Sequence, residues 1–283
     1  MLFHFLDELR TCHSTGDAKN DEPLSPRRAH LGLLVDFIEK TYSSTTKQVA
    51  ALLKHHEITY DLLWSLFKPN MIMYTTCVGT KKPRCVKYNF GEEKKLSNGM
   101  IYYSMQCCYL DFDGKTFGEV STELPIFKFR GTRRIETLPT FPLQFHPDKC
   151  KLTADLIQCG RTFISLMGAH HRRCRGDAFF MQEDDRPFQI SIDSRIMVDA
   201  AFFRKMNPNY SRPCIIEPAK QDSLDSILFG GNDNSTNKTD KIISSGKEPT
   251  ELEEHELIIY CPTVPGFSFG DKLWCNTFPL PLD

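Results

Sequence analysis

Residues 100–129 read MIYYSMQCCYLDFDGKTFGEVSTELPIFKF, two runs rich in β-branched and aromatic residues that meet at Asp113-Gly114. Such residues fit a pleated, half-buried surface. An Asp-Gly pair between two such runs signals a hairpin, because a type I′ turn needs the positive φ that these residues tolerate. The stretch predicts an antiparallel pair, and MIMYTTCV (71–78), RCVKYNF (84–90), FQISIDSRIMVD (188–199) and LIIYCPTV (257–264) extend the same composition. The middle of the chain is therefore expected to be antiparallel sheet.

Working outward, the period changes. AHLGLLVDFIEKTY (29–42) and TTKQVAALLKHHE (45–57) place apolar residues at helical spacing, which predicts two helices before the sheet. ITYDLLWSLFKPN (58–70) reads as a short buried helix that stops at Pro69-Asn70. A longer helix is expected near 150–168, with Leu152, Leu156, Ile157, Phe163, Ile164 and Met167 apolar, Gly160 weakening its centre and Gly168 as its stop. STGDAKNDEPLSPRR (14–28) is polar and turn-rich, so residues 1–28 are expected to be a flexible leader, with order beginning near Ala29. Residues 229–254 hold too many Gly, Asn, Ser, Thr and charged residues to bury a core and read as a disordered insertion before the last strand. The fold class is thus α+β: N-terminal helices packed on a mostly antiparallel twisted sheet or partial barrel, within a single domain spanning 29–283. Trp64, Phe67, Phe163 and Trp274 are the expected core aromatics.

The 283 residues carry 35 Lys plus Arg against 36 Asp plus Glu, and a net charge of -1 gives no global field for nucleic acid or an anionic membrane. No window approaches the length of a membrane-spanning helix, and His4, Asp7, Glu8 and Arg10 interrupt the first apolar stretch before a signal peptide could form. The expected location is intracellular, cytoplasmic or nuclear. Eleven cysteines, an odd number scattered among apolar neighbours, suggest reduced thiols rather than a disulfide framework. Cys107 and Cys108 are adjacent and would point to opposite faces of a strand, so they cannot ligate one metal together.

No Walker A glycine loop, nucleophile elbow, zinc-protease helix, dinucleotide fingerprint or kinase signature is present, so no cofactor and no conventional catalysis are expected of this chain. Asp111-Phe112-Asp113-Gly114 opens like a calcium loop, but the glycine falls at the fourth position and Thr122 stands where a bidentate Glu is required. His146 and Cys150 bracket a proline turn without a third group to orient them. Two basic runs remain. His170-His171-Arg172-Arg173-Cys174-Arg175 is expected at a helix C-terminus before a turn at Gly176, where cations complement the helix dipole and can hold an anion or acidic partner. Arg130, Arg133 and Arg134 in FRGTRR (129–134) are expected at a strand end. Arg175-Gly176-Asp177 is an RGD tripeptide, read as coincidence in an intracellular chain.

In this order, six stretches resemble a domain of unknown function found in fungal AAA-type ATPases, N-terminal to the ATPase module. They are residues 33–70 with their Leu-Trp-x-Leu-Phe-x-Pro core at Leu63 to Pro69, then 110–118, 129–148, 156–176, 193–203 and 264–274, covering most of 29–274. Cys174 stands where the family more often has an aromatic, and Cys159 where arginine or glutamate is more familiar. The resemblance implies a non-catalytic recognition or regulatory domain that binds a protein substrate or adaptor. It also implies that family members continue into Walker A and Walker B sequences, so the alternative is a part of an ATPase whose catalytic module is not in this chain. A further alternative is an anion or nucleic-acid binder using Arg130, Arg133, Arg134, Arg172, Arg173 and Arg175, with affinity falling steeply with salt.

Overall fold

A computed structural model describes residues 2–14, 26–182, 186–208, 215–216 and 254–277. The fold is α+β, with mostly antiparallel strands. The chain divides into two compact units: Met1–Thr76, Cys85–Cys107 and Glu123–Leu152 form the first, and Cys77–Arg84, Cys108–Thr122 and Thr153–Asp283 the second.

In the first unit, residues 2–14 of the expected leader are helical: a 3-10 turn, Leu2–Phe5, followed by α1, Leu6–Ser14. Residues 15–25 lie outside the described residues. The two helices expected before the sheet are one, α2, Pro26–Leu53. Leu31, Val35, Ile38, Tyr42, Thr45, Val49 and Leu52 form its shielded stripe at alternating spacings of four and three, so the period runs unbroken through Tyr42–Thr46. The hydroxyls of Ser43 and Thr46 donate to the carbonyls of Lys40 and Tyr42, which keeps these polar residues compatible with the helix. Then come β1 (Glu57–Thr59), a 3-10 turn and α3 (Leu63–Leu66), where sequence spacing predicts one short helix. β1 pairs with β6 (Thr132–Arg134). Strands β2 (Ile72–Thr76), β3 (Pro83–Lys95), β4 (Ile101–Phe112), β5 (Phe117–Phe127) and β7 (Phe141–Pro142) follow the order β7-β2-β3-β4-β5. Ile58, Leu63, Phe67, Met73, Val86, Met105, Ile126 and Ile135 form the buried centre.

β3, β4 and β5 each pass from one unit into the other along the chain. In the second unit, β4 and β5 meet at the Asp113-Gly114 turn, and β10 (Ile215–Ile216) pairs with β5. Gly114 has φ +95°, but Asp113 is not among the residues with positive φ, so this is not a type I′ turn. Instead the Asp113 carboxylate accepts the backbone N–H groups of Lys115 and Thr116 and pairs with Arg204. α4 spans Lys149–Ser165 and buries Leu156, Cys159 and Phe163. β8 (His170–Met181), β9 (Pro187–Val198), β11 (Val264–Ser268) and β12 (Leu273–Thr277) close into a small barrel in the order β11-β12-β8-β9, filled by Cys174, Ala178, Ile192, Ile196, Val198 and Cys275. α5 (Ala200–Met206) packs near β11, and α6 (Glu254–Leu257) precedes it in sequence. Apart from Glu254, the expected insertion lies outside the described residues.

Two of the four expected core aromatics are fully buried, Phe67 and Phe163. Trp64 and Trp274 are half-buried. Trp64 is a docking plate for the N-terminal turn: Phe3 meets it at 5.2 Å, Tyr42 at 5.8 Å, and the His4 Nε2–H donates to its carbonyl at 2.9 Å. Trp64→Ala is expected to destabilise by about 2 kcal/mol, less than the roughly 3–5 of a fully buried tryptophan. Urea unfolding checks this, and a midpoint equal to wild type would show that the plate contributes nothing to stability.

Gly160 gives a second outcome with the opposite sign from propensity. Ala is favoured over Gly in a helix interior by about 1 kcal/mol, yet a Cβ at Gly160 would collide with the backbone carbonyl of Leu257. Gly160→Ala is therefore expected to lower the thermal midpoint, by about 1–3 kcal/mol of overpacking. A raised midpoint would refute the close approach.

The turn adds a pH dependence. Burial pushes the Asp113 carboxyl up, but the N–H groups of Thr116 and Lys115 and the Arg204 guanidinium outweigh it and hold the pKa below its usual value. A carboxyl whose folded pKa lies below its unfolded one stabilises above the unfolded pKa and loses that contribution as pH falls through the folded value. Asp113→Asn should accordingly flatten the decline of the urea midpoint between about pH 5 and pH 3. Parallel profiles for variant and wild type would count against the turn's role.

Candidate basic and aromatic surface

The run His170–Arg175 does not follow a helix end. α4 ends at Ser165 with no basic residue in its last turn, Gly168 turns the chain at φ +99°, and the run itself opens β8. The sequence misleads here because a helix with a glycine stop followed by cations looks like a dipole-complementing terminus, while the alternation of a strand is masked by four consecutive polar residues. β8 and β9 are antiparallel, with His171 opposite Met197, Arg173 opposite Arg195 and Arg175 opposite Asp193.

Directly paired residues share a sheet face, and so do residues two apart along a strand. His171, Arg173, Arg175, Met197, Arg195 and Asp193 therefore stand on one face. The other face carries Cys174, Ala178, Ile192, Ile196 and Val198, which are buried in the barrel. The arginine face is its outside, and Arg173, Arg175 and Arg195 are exposed. Two of the three guanidiniums there share one carboxylate: Arg173 Nη2 meets Asp193 at 3.0 Å and Arg175 Nε at 3.8 Å. Further along the same face, Asp177 lies 3.9 Å from Lys82.

His170 and Arg172 alternate away from this face. His170 Nε2–H donates to the Met167 carbonyl at 2.9 Å, and Arg172 Nη1 donates to the His171 carbonyl at 2.9 Å. Sequence reasoning misses Arg195, which sits 20 residues beyond Arg175, in a strand that looks unremarkable until its register is known. It also misses Phe269. This exposed ring meets His171 at 5.5 Å, and its N–H donates to the Arg195 carbonyl at 3.0 Å, which sets an aromatic ledge beside the cations. Phe267 and Trp274, facing each other at 5.5 Å, continue the aromatic part, with Phe203 against Trp274 at 5.3 Å.

The other basic run belongs to the first unit. Arg133 stacks over the Phe129 ring at 4.5 Å, Arg134 pairs with Glu136, and Gly131 bends the chain at φ +71°. Arg130, Arg133 and Arg134 are exposed.

The remaining candidates are occupied by structural work. His146 Nδ1 accepts the Asp148 N–H at 3.1 Å while its ring stacks on Phe141 and leans on Tyr74. Asp111 accepts the Phe112 N–H, and Asp113 serves its turn, so the calcium-like spelling is taken up by backbone hydrogen bonds. Burial pushes the Cys159 and Cys275 thiols up to about 12, away from the thiolate that a nucleophile or metal ligand needs. Among the described residues no group of three His, Cys, Asp or Glu side chains is placed to hold a metal ion. No helix there is long and apolar enough to cross a membrane.

A family model described as a domain of unknown function, DUF7025, matches residues 48–147, from the end of α2 to the turn before α4. The match takes in Arg130, Arg133 and Arg134 and stops short of the β8–β9 face. No curated protein and no solved structure matches the chain. Residues 48–147 are thus similar to a domain of an uncharacterised family.

Proposed function

We propose that this chain is a non-catalytic recognition module whose β8–β9 face docks an acidic segment of a protein partner. The single observation that carries this is the register that sets Arg173 directly opposite Arg195, with Arg175 beside them and Asp193 pairing with Arg173 and Arg175. Like charges opposed across a strand pair destabilise a sheet by roughly 0.2–1 kcal/mol, so the pattern works against folding and is accounted for by an anion that settles on it. The exposed guanidiniums of Arg173, Arg175 and Arg195 are the groups by which such a partner would be read. The ledge at Phe269 and His171 supplies an apolar anchor next to the charges.

The sequence resemblance supplies the setting: a substrate- or adaptor-binding domain of a fungal AAA-type ATPase would present such a face to its partner. Intracellular location belongs to the same proposal.

The test is fluorescence anisotropy with a labelled extended peptide that alternates Glu with neutral residues and carries one Phe. Wild type is expected to bind it with an affinity that falls as salt rises, and Arg173→Glu with Arg195→Glu is expected to weaken binding at least tenfold, about 1.4 kcal/mol, with an unchanged far-ultraviolet spectrum. Undiminished binding by the double variant, or none by wild type, overturns the proposal. Tighter binding of an oligothymidine than of the peptide would replace it with the nucleic-acid reading.

A further inference from the structure

The first unit holds a half-open cavity of about 110 Å³ that the acidic-partner reading does not use. Its walls are mostly rings. Trp64, Phe67, Tyr88 and Tyr103 line it, with His4 at one side and Gly91 at another. The Phe67 ring lies 5.6 Å from Tyr88 and stacks on Tyr103 at 5.8 Å, and the two tyrosine hydroxyls share a hydrogen bond of 3.1 Å. Gly91 is required where it stands: a Cβ there would come within 2.7 Å of the Tyr103 ring and hydroxyl. Any larger residue would push that ring across the cavity.

The chemistry of the walls narrows the ligand. No Lys, Arg, Asp or Glu lines the cavity. Burial lowers the His4 pKa, with the nearby Lys68 charge adding to the effect, so the imidazole is neutral at physiological pH. Lys68 is itself paired with Glu8. Burial raises the pKa of both tyrosines, which keeps their hydroxyls protonated. A phosphate or carboxylate would find no cationic side chain lining the cavity to pair with.

Size excludes most other ligands. The volume takes several waters and falls below the roughly 300–1,000 Å³ of sites for drug-sized molecules. A compact head group that needs no hydrogen-bond acceptor but gains from π faces is the class that fits, and a quaternary ammonium is that class. The same unit already sets cations over rings elsewhere, with Lys68 Nζ 5.1 Å from the Phe5 centroid, Lys128 Nζ 5.1 Å from that of Tyr60 and Arg133 4.5 Å from that of Phe129.

We propose that the cavity between His4, Trp64, Phe67, Tyr88 and Tyr103 is a binding site for a trimethylammonium head group. The experiment titrates the full chain with choline and, in parallel, with 3,3-dimethyl-1-butanol, the neutral isostere. The trimethyl proton signal is read for upfield ring-current shift and saturation transfer, together with tryptophan fluorescence. Choline is expected to saturate both readouts, with the isostere at least tenfold weaker, and Trp64→Leu is expected to abolish the shift while leaving the far-ultraviolet spectrum unchanged. Displacement of choline by a trimethyllysine peptide supports a protein-borne head group, and displacement by phosphatidylcholine vesicles a lipid-borne one. Equal binding of choline and isostere, or no shift with choline, overturns the site. The proton shift is read on wild type, so it decides between these outcomes even where a Trp64 variant fails to fold.

Discussion

Twelve successive antiparallel pairings between β8 and β9 decide where every side chain of the long basic run points. A one-residue slip of β8 against β9 would send Cys174 and Ala178 to water and turn Arg173 and Arg175 toward the barrel, away from Asp193. Two guanidiniums in that interior, with no carboxylate to meet them, would cost far more than the exposure of those apolar side chains. Register, core and basic face are therefore one constraint. It is fixed from the inside by the apolar residues and only then displayed on the outside as charge.

Close approach supplies a second constraint within the same unit. Gly79 sits directly against the Phe179 ring, and the Gln189 amide donates to the Gly79 carbonyl at 2.7 Å. The connection ahead of β3 is thereby held on the barrel by contacts that no larger residue would allow. Phe179 is buried by this contact, and its strand neighbours toward the N-terminus are the exposed cations. One strand thus carries an apolar anchor and a row of exposed cations, with the small residues Gly176 and Ala178 between them.

What can be read from the sequence follows from how local each signal is. The hairpin at Asp113-Gly114 and α4 are specified within a dozen residues, by turn chemistry and by one helical stripe, and both appear where the sequence puts them. The joining of the first two helices is hidden because Ser43, Ser44, Thr45 and Thr46 are weak helix formers taken singly. Only the buried period through Tyr42, Thr45 and Val49 carries the helix across them. The basic face is half legible. Arg173 and Arg175 stand out by density, but their partner Arg195 and the neighbouring Phe269 are brought in by strand pairing, a non-local event that no window of sequence contains. Trp64 and Trp274 are expected in the core for their size, whereas a large amphipathic ring serves well at the margin, where one side is covered and the other remains available.

The proposed docking of an extended acidic chain is compatible with a net charge of -1 over the whole sequence. Charges farther apart than about 8 Å are largely screened at physiological salt, so the overall balance has little influence on a docked segment. Within the face, residues two apart along a strand lie roughly 6.6 Å from each other, and directly paired residues about 5 Å. An extended peptide presents alternate side chains at the same interval, so carboxylates two residues apart fall in step with Arg173 and Arg175, and Arg195 closes the group from the neighbouring strand. On the proposed reading, the geometry of the ribbon, as well as the number of its arginines, would match an extended acidic segment.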